Sequence, residues 1–138
     1  MSFVVGFTGT RWGLIRPQRE KMFELLCEPM DQFHHGDCIG ADAWSHDQVL
    51  KRLDNVFIHV HPPTNPENRA WKHGHVTYEP KPYFDRNKDI VDMSEFMLAA
   101  PRGMSEELRS GTWHAIRYAI EQKKRVIIVW PNGKVEER

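Results

Sequence analysis

The sequence predicts an α/β domain, a Rossmann-like three-layer α/β/α sandwich built on a mainly parallel five-stranded sheet. Short apolar runs rich in β-branched side chains recur along the chain, as buried strands do. Segments with helical spacing alternate with them, giving β-α-β-α-β, a long loop, then α-β-α-β. Parallel strands require such crossovers, which are almost always right-handed and cover both faces of the sheet. A chain of 138 residues fits one domain, 1–138, and buries about two-thirds of its unfolded surface.

The first strand is Phe3-Val4-Val5-Gly6-Phe7, which turns abruptly into the small, hydroxylated and cationic run Thr8-Gly9-Thr10-Arg11-Trp12. Arg16 to Met30 reads as a helix, with Pro17 in its first turn and Met22, Leu25, Leu26 and Met30 at spacings of three and four. A brief strand, Gln32 to His35, ends in Gly36-Asp37-Cys38-Ile39-Gly40-Ala41-Asp42, and Ala41 to Leu53 has helical character. Val56 to His61 alternates as a strand and runs into Pro62-Pro63. From Pro62 to Pro82, five prolines and the lack of a sustained period predict a long surface excursion. Its rings, Trp71, His73, His75 and Tyr78, favour a lid over a solvated linker. Tyr83 to Met93 is a helix, Phe96 to Ala100 a strand stopped by Pro101, Arg109 to Gln122 a helix and Val126 to Trp130 the last strand, followed by a polar tail.

Lys plus Arg and Asp plus Glu number 19 each, so any anion site must be local and a generally basic surface for nucleic acid is not expected. Two cysteines, Cys27 and Cys38, are too few for a disulfide scaffold and suit a reducing cytosol. Neither a basic-then-apolar leader nor an apolar run near 18 residues is present, so a cytoplasmic location without membrane contact is expected. Eight histidines raise the question of a metal, with His59, His61, His73 and His75 as conceivable pairs. There is no HExxH and no Cys/His quartet, so neither a metal nor another cofactor is expected.

In an open α/β sheet, ligands sit at the carboxyl ends of the strands. Four segments follow such ends: Thr8 to Trp12, Gly36 to Asp42, Pro62 onward, and Pro101 to Thr112. Thr8, Gly9, Thr10 and Arg11 offer close backbone approach, hydroxyls and a guanidinium fork for phosphate, while Trp12 offers a face on which a base could stack. Ser110, Gly111 and Thr112 stand at a helix start, where free N–H groups and the dipole favour an anion; Ser110 or Thr112 as a plain N-cap is the other reading. Asp37 is the candidate for ribose hydroxyls, and Asp42 either joins it with Gly36 and Gly40 in the site or caps its helix. Arg86 and Asn87 approach from the third helix, Arg86 toward phosphate and Asn87 toward a base or backbone. Trp113 also adjoins a phosphate-like turn, whereas Trp44 and Trp130 fit the core better.

Gly6-Phe7-Thr8-Gly9-Thr10-Arg11, His35-Gly36-Asp37-Cys38-Ile39-Gly40-Ala41-Asp42, Arg86-Asn87 and Leu98-Ala99-Ala100-Pro101 leading to Ser110-Gly111-Thr112 together resemble the ordered motifs of the SLOG superfamily. That group includes the DprA-like DNA-processing proteins and the LOG phosphoribohydrolases, and the nearest branch is the small YspA-like proteins of bacteria and phages. The resemblance covers residues 3 to about 131. It implies a Rossmann-like fold that binds a nucleotide or nucleotide-derived ligand, with Pro101 and the Gly-Thr turn beside its phosphate. In LOG enzymes a catalytic glutamate follows that turn; here Arg109-Ser110-Gly111-Thr112-Trp113-His114-Ala115 has none, and the next carboxylate is Glu121.

The expected function is therefore binding of a phosphorylated nucleotide ligand as sensor or carrier, by a homo-oligomer, with no appreciable hydrolysis of nucleoside monophosphates. The rival is a nucleotide N-glycosidase using Asp37, His114, Glu106 or Glu107 as its acid or base, and a third reading is DprA-like single-strand binding, which the zero formal charge disfavours.

Overall fold

In the computed structural model, which describes residues 3–52 and 55–138, a seven-stranded sheet is covered by two pairs of helices. The elements in chain order are β1 (Val4–Gly9), α1 (Arg16–Leu26), β2 (Gln32–His35), α2 (Ala41–Arg52), β3 (Phe57–Val60), a 3-10 turn (Pro66–Asn68), β4 (Val76–Thr77), α3 (Tyr83–Met93), β5 (Phe96–Ala100), α4 (Gly111–Glu121), β6 (Arg125–Val129) and β7 (Val135–Glu137). Leu53, expected to close the second helix, lies outside the described residues. Strand order is β4-β3-β2-β1-β5-β6-β7, parallel except for β7, which pairs antiparallel with β6.

Two strands exceed the five expected, and both come from polar sequence. β4 is only two residues, Val76 and Thr77, set in register with His59 and Val60. β7 is formed by the tail, where Val135, Glu136 and Glu137 face Val129, Ile128 and Ile127. Short, polar edge strands lack the apolar run that marks a buried one, and they also blunt the sheet's exposed edges.

Two cores flank the sheet. Phe7, Phe33, Ile58 and Leu98 pack with Met22 and Leu26 of α1 and Val49 of α2; on the opposite face, Met97, Ala99 and Ile128 pack with Ile90 of α3 and Trp113 and Ile116 of α4. α1 and α2 thus share one layer and α3 and α4 the other. Burying these aliphatic and aromatic side chains contributes roughly 1.5–3 kcal/mol each. β1 lies between β2 and β5, so the chain progresses outward through β2 and β3, crosses back by α3, and restarts at β5. The loops leaving β1 and β5 therefore diverge, which opens a crevice at their carboxyl ends.

Candidate functional site

A cleft of about 520 Å³ lies at that crevice, within the size range of small-molecule sites. Of the residues expected from sequence, it is lined by Thr8, Gly9, Thr10, Arg11, Trp12, Gly36, Asp42, Arg86, Asn87, Ser110, Gly111 and Thr112. Asp37, Gly40 and Pro101 do not line it, nor does His114.

The floor is built from turns that clasp one another. Thr10 N–H donates to Ala100 O at 3.0 Å, joining the ends of β1 and β5, and Thr10 O accepts from Ala41 N–H at 3.0 Å, joining β1 to the start of α2. Thr10 Oγ1 accepts from Trp12 N–H at 3.2 Å, so its hydroxyl shapes the turn. Gly40 has φ +86°, and a Cβ there would strike the backbone of Arg11. Only glycine meets both demands, the left-handed conformation and the close approach. Its task is to seat the first turn on the second.

Gly36 is required for a different reason: a Cβ at this position would collide with the Arg86 guanidinium and come within 3.0 Å of Asp42 Oδ2. Arg86 is buried, donating to Gly36 O, to His61 O at 3.2 Å and, from Nε, to Asn87 Oδ1 at 2.9 Å. Most of its fork is spent on protein acceptors, so it ties the ends of β2 and β3 together beneath the cleft. Asn87 continues the chain of contacts, donating from Nδ2 to Gly111 O at 3.1 Å. Arg86, expected to meet phosphate, and Asn87, expected to meet a base or backbone and here bonded to the Gly111 carbonyl, thus form a strut between the sheet and the start of α4.

Asp42 sits in the first turn of α2 and is 5% exposed. It reaches back along the chain, Oδ2 accepting from Cys38 N–H at 3.2 Å, while Oδ1 is buried with no hydrogen-bond partner. Burial pushes its carboxyl up to about 6, with the Arg86 guanidinium pulling the other way. Beside it, burial and the Asp42 charge raise the Cys38 thiol to about 11, which keeps it from being a thiolate nucleophile.

Asp37 corrects the sequence reading. Its φ of 54° turns it away from the cleft, and its wholly buried carboxylate accepts from Arg69 Nε at 3.1 Å and Lys72 N–H at 2.9 Å. It anchors the 62–82 segment, and no ribose hydroxyl can reach it there. Pro101 is buried, its carbonyl accepting from Gln18 Nε2 at 2.9 Å. His114 stacks on Phe84 at 4.1 Å and meets Asn87, forming a layer behind the cleft wall; burial, then Arg117 and Lys88, lower its pKa. Glu106 pairs with Arg117 away from the cleft. Trp113 is wholly buried in the α3–α4 core against Trp130, so it has no face to offer a base.

Glu107, a candidate acid of the enzyme reading, also lines the cleft, and residues missed from sequence are Tyr83, Phe84, Asn68, Cys38, Arg102 and Arg109. Tyr83 and Phe84 precede Arg86 within one helical turn, a spacing that already put them on the same approach. Arg109 adjoins Ser110. Asn68 arrives from the long segment between β3 and α3, and no local signal marked it.

α4 supplies the electropositive wall. Ser110 caps it, Oγ accepting from Trp113 N–H at 3.2 Å, and Gly111 and Thr112 begin the helix facing the cleft. A Cβ at Gly111 would meet nothing within 4 Å. Around the rim, Arg102 is paired with Glu107 at 2.7 Å, whereas among the described residues neither Arg11 nor Arg109 forms an ion pair. Trp12 is 66% and Phe84 60% exposed. Among the described residues, no group of three or more His, Cys, Asp or Glu is placed to hold a metal, and no helix is long and apolar enough to cross a membrane.

In comparison with known proteins, no family model, curated protein or solved structure matches the chain.

Proposed function

We propose that the chain binds a nucleotide or nucleotide-derived phosphorylated ligand in this cleft, as a sensor or carrier of the SLOG type. The observation that carries the reading is the start of α4, where Gly111 and Thr112 face the cleft with open space at Gly111. Backbone N–H groups at a helix start have no intrahelical partner, and the dipole adds positive potential, so a phosphate is stabilised without a dedicated side chain. Arg11 and Arg109 supply charge from either side, each free of a carboxylate among the described residues. The exposed faces of Trp12 and Phe84 at the mouth suit a flat, apolar base.

Thermal melts in the presence of nucleoside mono- and diphosphates and ADP-ribose test this reading. Ligand at 100 times its Kd stabilises the fold by about 2.7 kcal/mol, which raises Tm by several degrees. Gly111→Asp places a carboxylate in the anion position while leaving a residue that helix starts favour. The variant is expected to fold with an unchanged or higher Tm and to lose the ligand-induced rise. A flat response of the native chain to the whole panel would refute the reading.

A further inference from the structure

Resting on that reading, we infer that Asp42 is the group that recognises a sugar hydroxyl, so that the cleft selects ribosyl phosphates over their deoxy counterparts. Asp42 lines the cleft at 5% exposure with one oxygen satisfied by Cys38 N–H and the other, Oδ1, without a partner. Buried polar atoms are almost always hydrogen-bonded, because an unmet one costs about as much as a lost bond. An orphan acceptor on a side chain that lines a ligand-sized cleft is completed by a donor that the ligand brings.

The chemistry of that donor follows from its surroundings. The Arg86 charge already acts on Asp42 from the other side of Gly36, and Arg11, Arg102 and Arg109 share the cleft, so an ammonium would enter a positive field. A neutral donor fits better. Phosphate is held at the start of α4, and a base takes the exposed rings of Trp12 and Phe84 at the mouth. Asp42 stands apart from both, at the start of α2 and against the floor formed by Gly36 and Arg86. What a nucleotide presents between its phosphate and its base is the sugar edge, and the donors on that edge are the 2′- and 3′-hydroxyls. Asp37, on the same turn, cannot compete, because Arg69 and Lys72 occupy its carboxylate.

The test is calorimetric titration of AMP, CMP, GMP and UMP, each against its 2′-deoxy and 3′-deoxy analogue, with native chain, Asp42→Asn and Asp42→Ala. Leaving a buried carboxylate oxygen unpaired weakens binding about tenfold or more, so the native chain is expected to prefer the ribonucleotide over at least one analogue by that factor. The preference should fall in Asp42→Asn and vanish in Asp42→Ala, while inorganic pyrophosphate binds all three proteins alike. Asp42→Asn, which keeps the size and one acceptor, guards against a variant that fails to fold. Equal binding of ribo and deoxy forms by the native chain overturns the inference and leaves the phosphate reading standing. A preference that survives in Asp42→Ala also overturns it. If neither pyrophosphate nor any nucleotide binds, both fall.

Discussion

Asp42 shows what burying a carboxyl with one unpartnered oxygen costs. Its carboxyl is raised to about 6 chiefly by burial, against Arg86 and the Cys38 N–H, with Asp37 adding to the rise. A raised folded-state pKa means that the contribution to stability is full below the ordinary value of 3.8 and is lost as pH climbs through about 6. Above that the ionised group opposes folding, by an upper figure of about 3 kcal/mol for a carboxyl raised from 3.8 to about 6. Asp42→Asn is therefore expected to raise Tm at pH 7.5 and to give about half of that gain at pH 5, which lies midway between the ordinary 3.8 and the folded value of about 6. Thermal melts at the two pH values check this, and a variant that melts lower at pH 7.5 would show that Arg86 more than offsets burial. Which of the two aspartates faces the cleft was not legible in the sequence. The choice rests on one left-handed backbone angle at Asp37 and on Arg69, 32 positions downstream. The glycines were legible as close approaches, but not what approaches them.

At the scale of elements, the 62–82 segment departs most from expectation. Its prolines do prevent a long strand or helix, yet the segment is tied down along its length. Ala70 N–H donates to Asp37 O at 2.7 Å, Lys72 N–H to Asp37 Oδ1 at 2.9 Å, His75 N–H to Ile58 O at 2.8 Å and Tyr78 N–H to Val60 O at 3.0 Å. Of the rings expected to close over a ligand, Trp71 is stacked by the Arg69 guanidinium at 3.7 Å and Tyr78 lies on His61 at 4.3 Å, and neither lines the cleft; Asn68 is the segment's residue in the lining. Hydrogen exchange at residues 70, 72, 75 and 78 is thus expected to be slow without any ligand. Asp37→Asn, which discards the charge that holds Arg69 and weakens the bond to Lys72, should speed exchange at 70 and 72 and lower Tm, leaving AMP affinity of the folded protein unchanged. Breaking a buried pair from one side costs about 3–5 kcal/mol, and retaining the amide moderates that. Fast exchange at these residues in the native chain, suppressed only by a nucleotide, would restore the lid. The helices were more readable: Tyr83–Met93 and the strands Gln32–His35 and Phe96–Ala100 fall where expected, because apolar spacing and Pro101 set their limits. α1 stops at Leu26, four residues early, with Met30 buried beyond its end.

For the whole molecule, alternation of strands and helices made the sheet's parallel part legible, since crossovers leave few other arrangements. Its histidine content was not, because pairing across strands decides what each ring meets. His34 and His59 are register partners on β2 and β3, stacked at 3.9 Å; His34 Nδ1 lies 2.8 Å from His61 Nε2, and Tyr78 stacks on His61 at 4.3 Å. On the other face, His35 Nδ1 accepts from Asp37 N–H at 3.0 Å, which leaves its Nε2–H to donate to His46 Nδ1 at 2.9 Å. Four conceivable metal ligands thus become parts of hydrogen-bonded structure or loop. Desolvation first, then the neighbouring rings, lower His34 and His61 to about 3, and burial takes His35 well below its ordinary value. A depressed folded-state pKa gives stability that is present above the unfolded value near 6.5 and is lost as pH falls toward 3. At pH 5 each of these rings costs the folded state roughly 2 kcal/mol relative to neutral pH, because the unfolded chain takes up protons that the folded chain refuses. Asp42 works in the opposite sense, but as one group against three. Urea unfolding should therefore show a steep loss of stability from pH 6.5 to 5, with an uptake of about two or three protons on unfolding near pH 5. His34→Gln, which keeps a hydrogen-bonding side chain without a titrating ring, is expected to flatten that slope by close to one proton. A slope unchanged in His34→Gln would mean that His34 is charged in the folded protein, and the stacked, neutral ladder would then be the wrong description of this face of the sheet.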